Sequence, residues 1–151
     1  MKKGTVPTFD VAVLPGDGIG IEIMEACMRV LEVVQEVNGG FRLLLKTLDA
    51  GANYYQATGE DISKESFEEA RASDAILLGA MGLPNIRYPD GTEIAPHLRM
   101  RKEFGLFAGV RPVKSYPKLP NTLADSRSKD IDIVILREST EGLFAHANSG
   151  V

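Results

Sequence analysis

Apolar residues recur along this chain in two different periods, and the changes of period divide it into elements. Phe9-Asp-Val-Ala-Val-Leu14 is a short β-rich run that stops at Pro15. Gly16-Asp-Gly-Ile-Gly20 follows as a tight turn, and apolar residues then return at Met24, Cys27, Met28, Leu31 and Val34, in steps of three and four. Glu22, Glu25, Arg29, Glu32 and Glu36 mark the opposite side, so the spacing predicts one long amphipathic helix, ended by Asn38-Gly39-Gly40. Phe41 to Leu48 reads as a second strand, which completes the strand-helix-strand unit of a parallel sheet.

From Gly51 to Ala72 the pattern is helical again, interrupted at Thr58-Gly59, with Ser63 or Asp61 available as a cap. Asp74 to Gly79 is a third apolar strand. It opens into a loop, punctuated by Pro and Gly, that runs from Ala80 to about Gly91. Open α/β sheets place their ligands just past the carboxyl ends of strands, which singles this loop out. Thr92 to Phe104 is expected to be helical, with Pro96 tolerated in the first turn. Leu106 to Val113 is a fourth strand, and Pro117 to Lys129 a polar connection without clear periodicity. Ile131 to Arg137 is an apolar run expected to be buried on both faces, and Glu141 to His146 opens a further element. The fold class is therefore α/β, an open sheet with βαβ units. A boundary is expected where the regular alternation gives way, with residues 1–105 in a larger α/β domain and 106–151 beginning a second domain.

Composition narrows the partners. With 151 residues, 44% hydrophobic and 25% charged, the chain can bury one sizeable core. A formal net charge of -4 argues against a broad nucleic-acid footprint, so any anion site must be local. The single cysteine, Cys27, cannot form an internal disulfide and falls in the helical pattern; it reads as a small core residue in a reducing compartment, with a reactive thiol as the lesser alternative. The start, Met1-Lys-Lys-Gly4, lacks the apolar region of a signal peptide, and no run approaches the length of a membrane span. A cytoplasmic protein without membrane or nucleic-acid partners is expected.

The candidate chemistry is concentrated in arginines beside apolar runs. Arg101 falls at the end of the expected helix, Arg111 near the end of the fourth strand, and Arg137 at the end of the fifth. Guanidinium forks match carboxylates bidentately and keep their charge when partly buried, so three converging arginines would suit a small, multiply charged acid. Surface ion pairing is the plainer alternative. Gly16-Asp-Gly-Ile-Gly20 is spaced G-x-G-x-G, one residue short of a dinucleotide fingerprint, and a structural turn is preferred over a phosphate cradle. Asp49 comes late for a ribose partner. His97 and His146 lack metal-ligand spacing. Glu138 and Glu141 flank Thr140, where they would orient the arginines or a hydroxyl, or simply be solvated at the strand end.

Four blocks together resemble the isopropylmalate and isocitrate dehydrogenases: Val11-Ala-Val-Leu-Pro-Gly-Asp-Gly-Ile-Gly20, Leu77-Leu-Gly-Ala-Met-Gly-Leu-Pro84, Arg101 to Pro112, and Arg137-Glu-Ser-Thr-Glu-Gly142. They occur in the family's order and cover most of this chain, but only the family's first half. The resemblance implies an enzyme that oxidises a 2-hydroxy acid with NAD, NADP being the alternative, and releases the carboxylate β to the new ketone with the help of Mg²⁺ or Mn²⁺. A homodimer is implied with it.

Carried over position by position, the resemblance makes Arg101, Arg111 and Arg137 the groups that bind the substrate's carboxylates. Gly82, Leu83, Pro84 and Asn85 would begin the loop along the nicotinamide cofactor. Ile94, His97 and Leu98 would recognise the substituent that distinguishes substrates, and Leu98 suits an alkyl group. Isocitrate enzymes usually carry Ser and Asn where this chain has Ala95 and His97, so 3-isopropylmalate is the first expectation and tartrate or D-malate the next. Phe144 stands where the family usually has a Tyr, and a phenyl ring cannot donate a proton to the enolate left by decarboxylation. The family's catalytic Lys and metal-binding aspartates would lie beyond Val151, so the resemblance implies no catalytic or metal residue within this chain and no activity of the chain alone. A non-catalytic, anion-binding regulatory subunit is the rival reading.

Overall fold

The computed structural model of the chain describes residues 6–120 and 123–141, which divide into two compact units between Leu98 and Arg99. The division lies before the boundary expected at residue 105, within a helix whose amino end carries the fully buried Ile94 and Pro96 into the first unit.

The first unit contains β1 (Thr8–Leu14), α1 (Ile19–Asn38), β2 (Arg42–Thr47), α2 (Ala52–Thr58), α3 (Lys64–Ala72) and β3 (Ala75–Leu78), and ends in the first turn of α4 (Pro96–Glu103). Its three strands form a parallel sheet in the order β2-β1-β3, with Val11 paired to both Leu45 and Ala75. The expected α/β fold with a βαβ unit is therefore observed. β1 is bonded along both edges, and Val11, Ala12, Val13 and Leu14 are its buried half. Burying a side chain of the size of Leu14 contributes about 1.5–3 kcal/mol.

Helix α1 buries Met24 and half-buries Cys27, Met28 and Leu31, but Val34, expected on the same face, is 44% exposed. The helix stays against the sheet past this point, Gln35 Oε1 accepting the Leu43 N–H of β2 at 3.0 Å, and Val34 is exposed beside it. Gly39 then stops the helix in the left-handed conformation (φ 65°), its N–H donated to the Gln35 carbonyl. At α3, Ser63 is the cap, its hydroxyl accepting the Ser66 N–H at 3.0 Å.

The second unit holds the rest of α4, β4 (Ala108–Lys114), a short 3-10 helix (Ser126–Asp130) and β5 (Asp132–Glu138). α4 ends in a Schellman turn: Gly105 adopts φ 65° and donates to the Lys102 carbonyl, and Leu106 N–H reaches the Arg101 carbonyl at 2.9 Å. β4 and β5 pair antiparallel, Gly109 opposite Arg137 and Arg111 opposite Ile135. Here one expectation is corrected. Every residue of β5 is exposed, Leu136 at 72%, rather than buried on both faces. An apolar run reports a strand fit to be covered, but among the described residues β5 has one neighbour, on one edge, and no covering layer. Within the polar connection, Asp125 caps the 3-10 helix by accepting the Arg127 N–H at 2.9 Å. Among the described residues no helix is long and apolar enough to cross a membrane.

Candidate functional site

Chain order sets the candidate region of the first unit. β2 lies on one side of β1 and β3 on the other, so the order of winding reverses between β1 and β3. Loops leaving the carboxyl ends of two such strands border a crevice, the usual ligand position in parallel sheets. Here the β1–α1 turn fills much of that crevice itself. Asp17 N–H donates to the Ala80 carbonyl at 2.7 Å, and a β-carbon on Gly16 would lie 1.9 Å from that same oxygen. One on Gly20 would meet the Pro15 and Ala80 carbonyls at 2.5 and 2.6 Å, and one on Gly79 the Pro15 carbonyl at 1.9 Å. These glycines serve backbone against backbone, which is the structural turn rather than the phosphate cradle.

Asp17, between the glycines, is 2% exposed and binds three backbone donors. Its Oδ2 accepts the N–H of Ala52 at 2.7 Å and of Gly82 at 2.8 Å, and its Oδ1 accepts that of Asn53 at 2.8 Å. One carboxylate thus caps α2 and pins the start of the loop beyond β3. Gly51 is needed beside it: a β-carbon there would lie 2.5 Å from Oδ2, at φ 106°. Sequence reasoning passed over Asp17. Its signal was a short acceptor side chain in a turn, but its donors lie 35, 36 and 65 positions away.

Beyond Gly82 the loop is held by its own contacts. Ile86 N–H donates to the Leu83 carbonyl, and Arg87 pairs with Glu93 both as a β-bridge and through its guanidinium, at 3.3 Å. The same guanidinium donates to the carbonyls of Pro84 and Gly91, each at 3.2 Å. Tyr88 donates its hydroxyl to Asp61 at 2.9 Å and meets the Tyr55 ring edge-on. Of the four expected cofactor residues, Gly82 spends its N–H on Asp17 and Leu83 is half-buried, while Pro84 and Asn85 are exposed at the tip. Ile94 is fully buried, which leaves it no surface for a ligand, and the same burial fixes the entry into α4. His97 is half-buried and Leu98 is 55% exposed on that helix.

In the second unit, antiparallel register decides which side chains share a face. Residues directly opposite lie on one side of a ribbon, so Gly109, Arg111, Val113, Ile133, Ile135 and Arg137 form one face. Arg111 and Arg137 are diagonal neighbours on it, about 7 Å apart by the general geometry of such pairs. Gly109 opposite Arg137 keeps this corner low, since a β-carbon there would sit 3.1 Å from the Arg137 carbonyl oxygen. The outcome is two exposed guanidinium-bearing positions beside an apolar patch. Arg101 is exposed on the last turn of α4. Glu138 belongs to the other face, where its carboxylate takes the Thr140 hydroxyl and N–H and, at 2.8 Å, the Glu141 N–H. The Thr140 hydroxyl bond above all, with these backbone donors, holds the Glu138 carboxyl below its ordinary pKa. It orients a hydroxyl and a turn, as one of the expectations had it.

A cleft of about 560 Å³ opens at the far end of the ribbon, lined by Val113, Tyr116, Leu119, Leu123 and Ile131, and contains none of the arginines. Among the described residues no group of three or more His, Cys, Asp or Glu side chains converges to hold a metal ion. Phe144 and His146 lie outside the described residues.

Comparison with known proteins covers both units. A family model for isocitrate/isopropylmalate dehydrogenase matches residues 10–151. The chain is 43% identical over 139 residues to the 3-isopropylmalate dehydrogenase of Heyndrickxia coagulans, covering 89% of this chain and 37% of that protein. It is 35% identical over 140 residues to the tartrate dehydrogenase/decarboxylase of Pseudomonas putida, covering 91% and 38%. Among solved structures, a beta-decarboxylating dehydrogenase from Thermococcus kodakarensis superposes with a TM-score of 0.65 at 36% identity, over 89% of this chain and 35% of that one. The chain thus spans little more than a third of the length of the relatives it matches.

Proposed function

The chain belongs to the isocitrate/isopropylmalate dehydrogenase family, and from that premise we propose that it forms the amino-terminal part of an NAD-linked, decarboxylating 2-hydroxy-acid dehydrogenase, with 3-isopropylmalate as substrate. The observation that carries this reading is the shared ribbon face of Arg111 and Arg137, a register that lets two guanidinium groups grip carboxylates of one small acid. Arg101 is assigned a further carboxylate contact. Leu98, exposed and apolar, is assigned the alkyl substituent, with His97 beside it on α4 and Ile94 supporting that helix from beneath. Pro84 and Asn85 are assigned the nicotinamide side of the cofactor, at the tip of a loop that Gly82 and Leu83 anchor.

What these residues contribute is position. Arginines that hold carboxylates in register keep the carbon bearing the hydroxyl aligned for hydride transfer, and alignment of this kind lowers a barrier without any new bond. NAD, when bound, supplies the hydride acceptor. Mg²⁺ or Mn²⁺ belongs to the same proposal for the full-length parent, where it would supply a Lewis acid for the hydroxyl and the new ketone; among the described residues no group of three or more His, Cys, Asp or Glu side chains converges to hold one. The reading carries with it a cytoplasmic homodimer acting on small acids.

Arg111→Ala in the full-length parent tests it. Losing a charge-assisted pair that bound substrate shields costs about 2–5 kcal/mol, so kcat/KM for the acid should fall at least about thirty-fold while KM for NAD stays unchanged. Assays should run on 3-isopropylmalate, tartrate and D-malate in parallel. An unchanged kcat/KM on whichever acid is turned over would remove Arg111 from the site.

A further inference from the structure

Asparagine followed by glycine occurs once in this chain, at Asn38-Gly39. The pair carries a latent reaction, because the side-chain amide of an asparagine is an electrophile within reach of the next backbone nitrogen, and a glycine leaves that nitrogen unshielded. Its place in the fold decides whether the reaction runs. Asn38 is the last residue of α1, and Gly39 is the left-handed residue that stops the helix. Both are exposed, as is Gly40, and a β-carbon on Gly39 would meet nothing within 4 Å. Gly40 N–H donates to Asn38 Oδ1 at 3.0 Å. That bond keeps the carboxamide beside the Gly39–Gly40 backbone and polarises its carbonyl.

The helix itself is the restraint. Gly39 N–H is donated to the Gln35 carbonyl at 2.9 Å, and the nitrogen reaches Asn38 Cγ only after that bond opens and Asn38 leaves the helical conformation. The bond is weakly supported. α1 has no basic residue in its last turn, Glu36 adds negative charge at the negative end of the helix dipole, and Val37 is 83% exposed and adds little packing. Helix ends held in this way open locally.

The other candidate positions among the described residues are better protected. Asp17-Gly18 and Asp90-Gly91 are the chain's two Asp-Gly pairs. Asp17 is buried with both oxygens taken by backbone N–H groups. Asp90 Oδ1 accepts the Thr92 N–H at 2.9 Å and hydroxyl at 2.7 Å. These bonds, the backbone one above all, hold the Asp90 carboxyl below its ordinary pKa, and a carboxylate anion is a poor electrophile. Asn53 and Asn85 are followed by Tyr54 and Ile86, whose side chains crowd the attacking nitrogen.

We propose that Asn38 is a site of spontaneous covalent modification, converting to isoaspartate and aspartate through a cyclic imide with Gly39 and so loosening the end of α1. The Gly39 nitrogen bonds to Asn38 Cγ and gives up its proton, the Cγ–Nδ2 bond breaks with release of ammonia, and water opens the imide at either carbonyl. Both products place a carboxylate at the negative end of the helix dipole. Isoaspartate also adds a methylene to the main chain, which takes the Gly39 N–H out of register with the Gln35 carbonyl. The site is independent of the dehydrogenase reading.

The folded 151-residue chain is incubated in mildly alkaline buffer and followed by peptide mapping, mass spectrometry and enzymatic methylation of isoaspartate. Conversion at Asn38 should be at least about tenfold faster than at Asn53 or Asn85. Glu36→Lys, at an exposed position, should slow it at least about threefold by strengthening the helix end, and urea should abolish that difference. Asn38→Asp should lower the hydrogen-exchange protection of the Gly39 amide about two- to fivefold, with the Met24 amide unchanged. An Asn38 that stays intact in the folded chain while a peptide of residues 36–42 converts would overturn the proposal, as would a folded-state rate that Glu36→Lys leaves unchanged.

Discussion

Removing the Asp17 carboxylate should unfasten three parts of the first unit at once. Asp17→Ala strips the acceptor from the Ala52 N–H, which is buried, and from those of Asn53 and Gly82, which are partly so. A buried donor left unsatisfied costs about 1–3 kcal/mol, and one that water can reach less. Taking the upper part of that range for Ala52 and about 1 kcal/mol for each of the others gives a loss of about 4–5 kcal/mol. Domains of this size are stable by about 5–15 kcal/mol, so the variant should lose from about a quarter to nearly all of that stability. Asp17→Asn is the finer probe. Its one carbonyl oxygen can still serve Ala52 and Gly82, which share Oδ2, while its amide nitrogen would face the Asn53 N–H; the cost should be about 2 kcal/mol. Urea unfolding followed by circular dichroism measures both, and hydrogen exchange resolves the site. In Asp17→Asn the Asn53 amide should lose about tenfold or more of its protection, at 1.4 kcal/mol per factor of ten, with Gly82 much less affected. If Asp17→Ala unfolds within about 0.5 kcal/mol of the wild type, the range of an ordinary surface change, the carboxylate is not the tie described above.

Two further outcomes follow from the same geometry. Gly79→Ala should destabilise the first unit by about 3 kcal/mol or more, because its β-carbon would meet the Pro15 carbonyl at 1.9 Å and neither backbone can give way; Gly39→Ala, with open space around it, should cost only the about 1 kcal/mol of a left-handed alanine. Equal thermal shifts for the two would refute the close packing. The turn at Thr140 should depend on pH: Glu138 is held below its ordinary pKa, so the order it lends is complete above that ordinary value and is lost as pH falls through the lower, folded one. The Thr140 amide resonance should report this, and a midpoint at or above that of a glutamate in an unstructured peptide would contradict it.

Local signals were legible in the sequence and nonlocal ones were not. The strand runs, the glycine stops at Gly39 and Gly59 and the Ser63 cap depend on residues within a turn of one another, and each lies where its pattern placed it. Asp17 depends on donors far along the chain, so its role follows only from the fold. The arginines fall between these cases. Their presence beside apolar runs was visible, but whether Arg111 and Arg137 share a face depends on register, and a register error of one residue would put them on opposite sides. The loop from Ser115 to Ile131 that joins the two strands is too long to set it by turn geometry.

Helix α1 shows why apolar periodicity alone overstates a core. Its apolar residues occupy a wide arc, of which the face from Met24 to Val34 is only part. Met24 is buried and Cys27, Met28 and Leu31 are half-buried, while Val34 is exposed together with Ile19, Ile23, Val30, Val33 and Val37. β5 is the same case in a strand: its four consecutive aliphatic residues, Ile133 to Leu136, are apolar enough for an interior, but the strand is paired on one edge. In both elements composition reports the total surface meant to leave water, and the described residues cover only part of it.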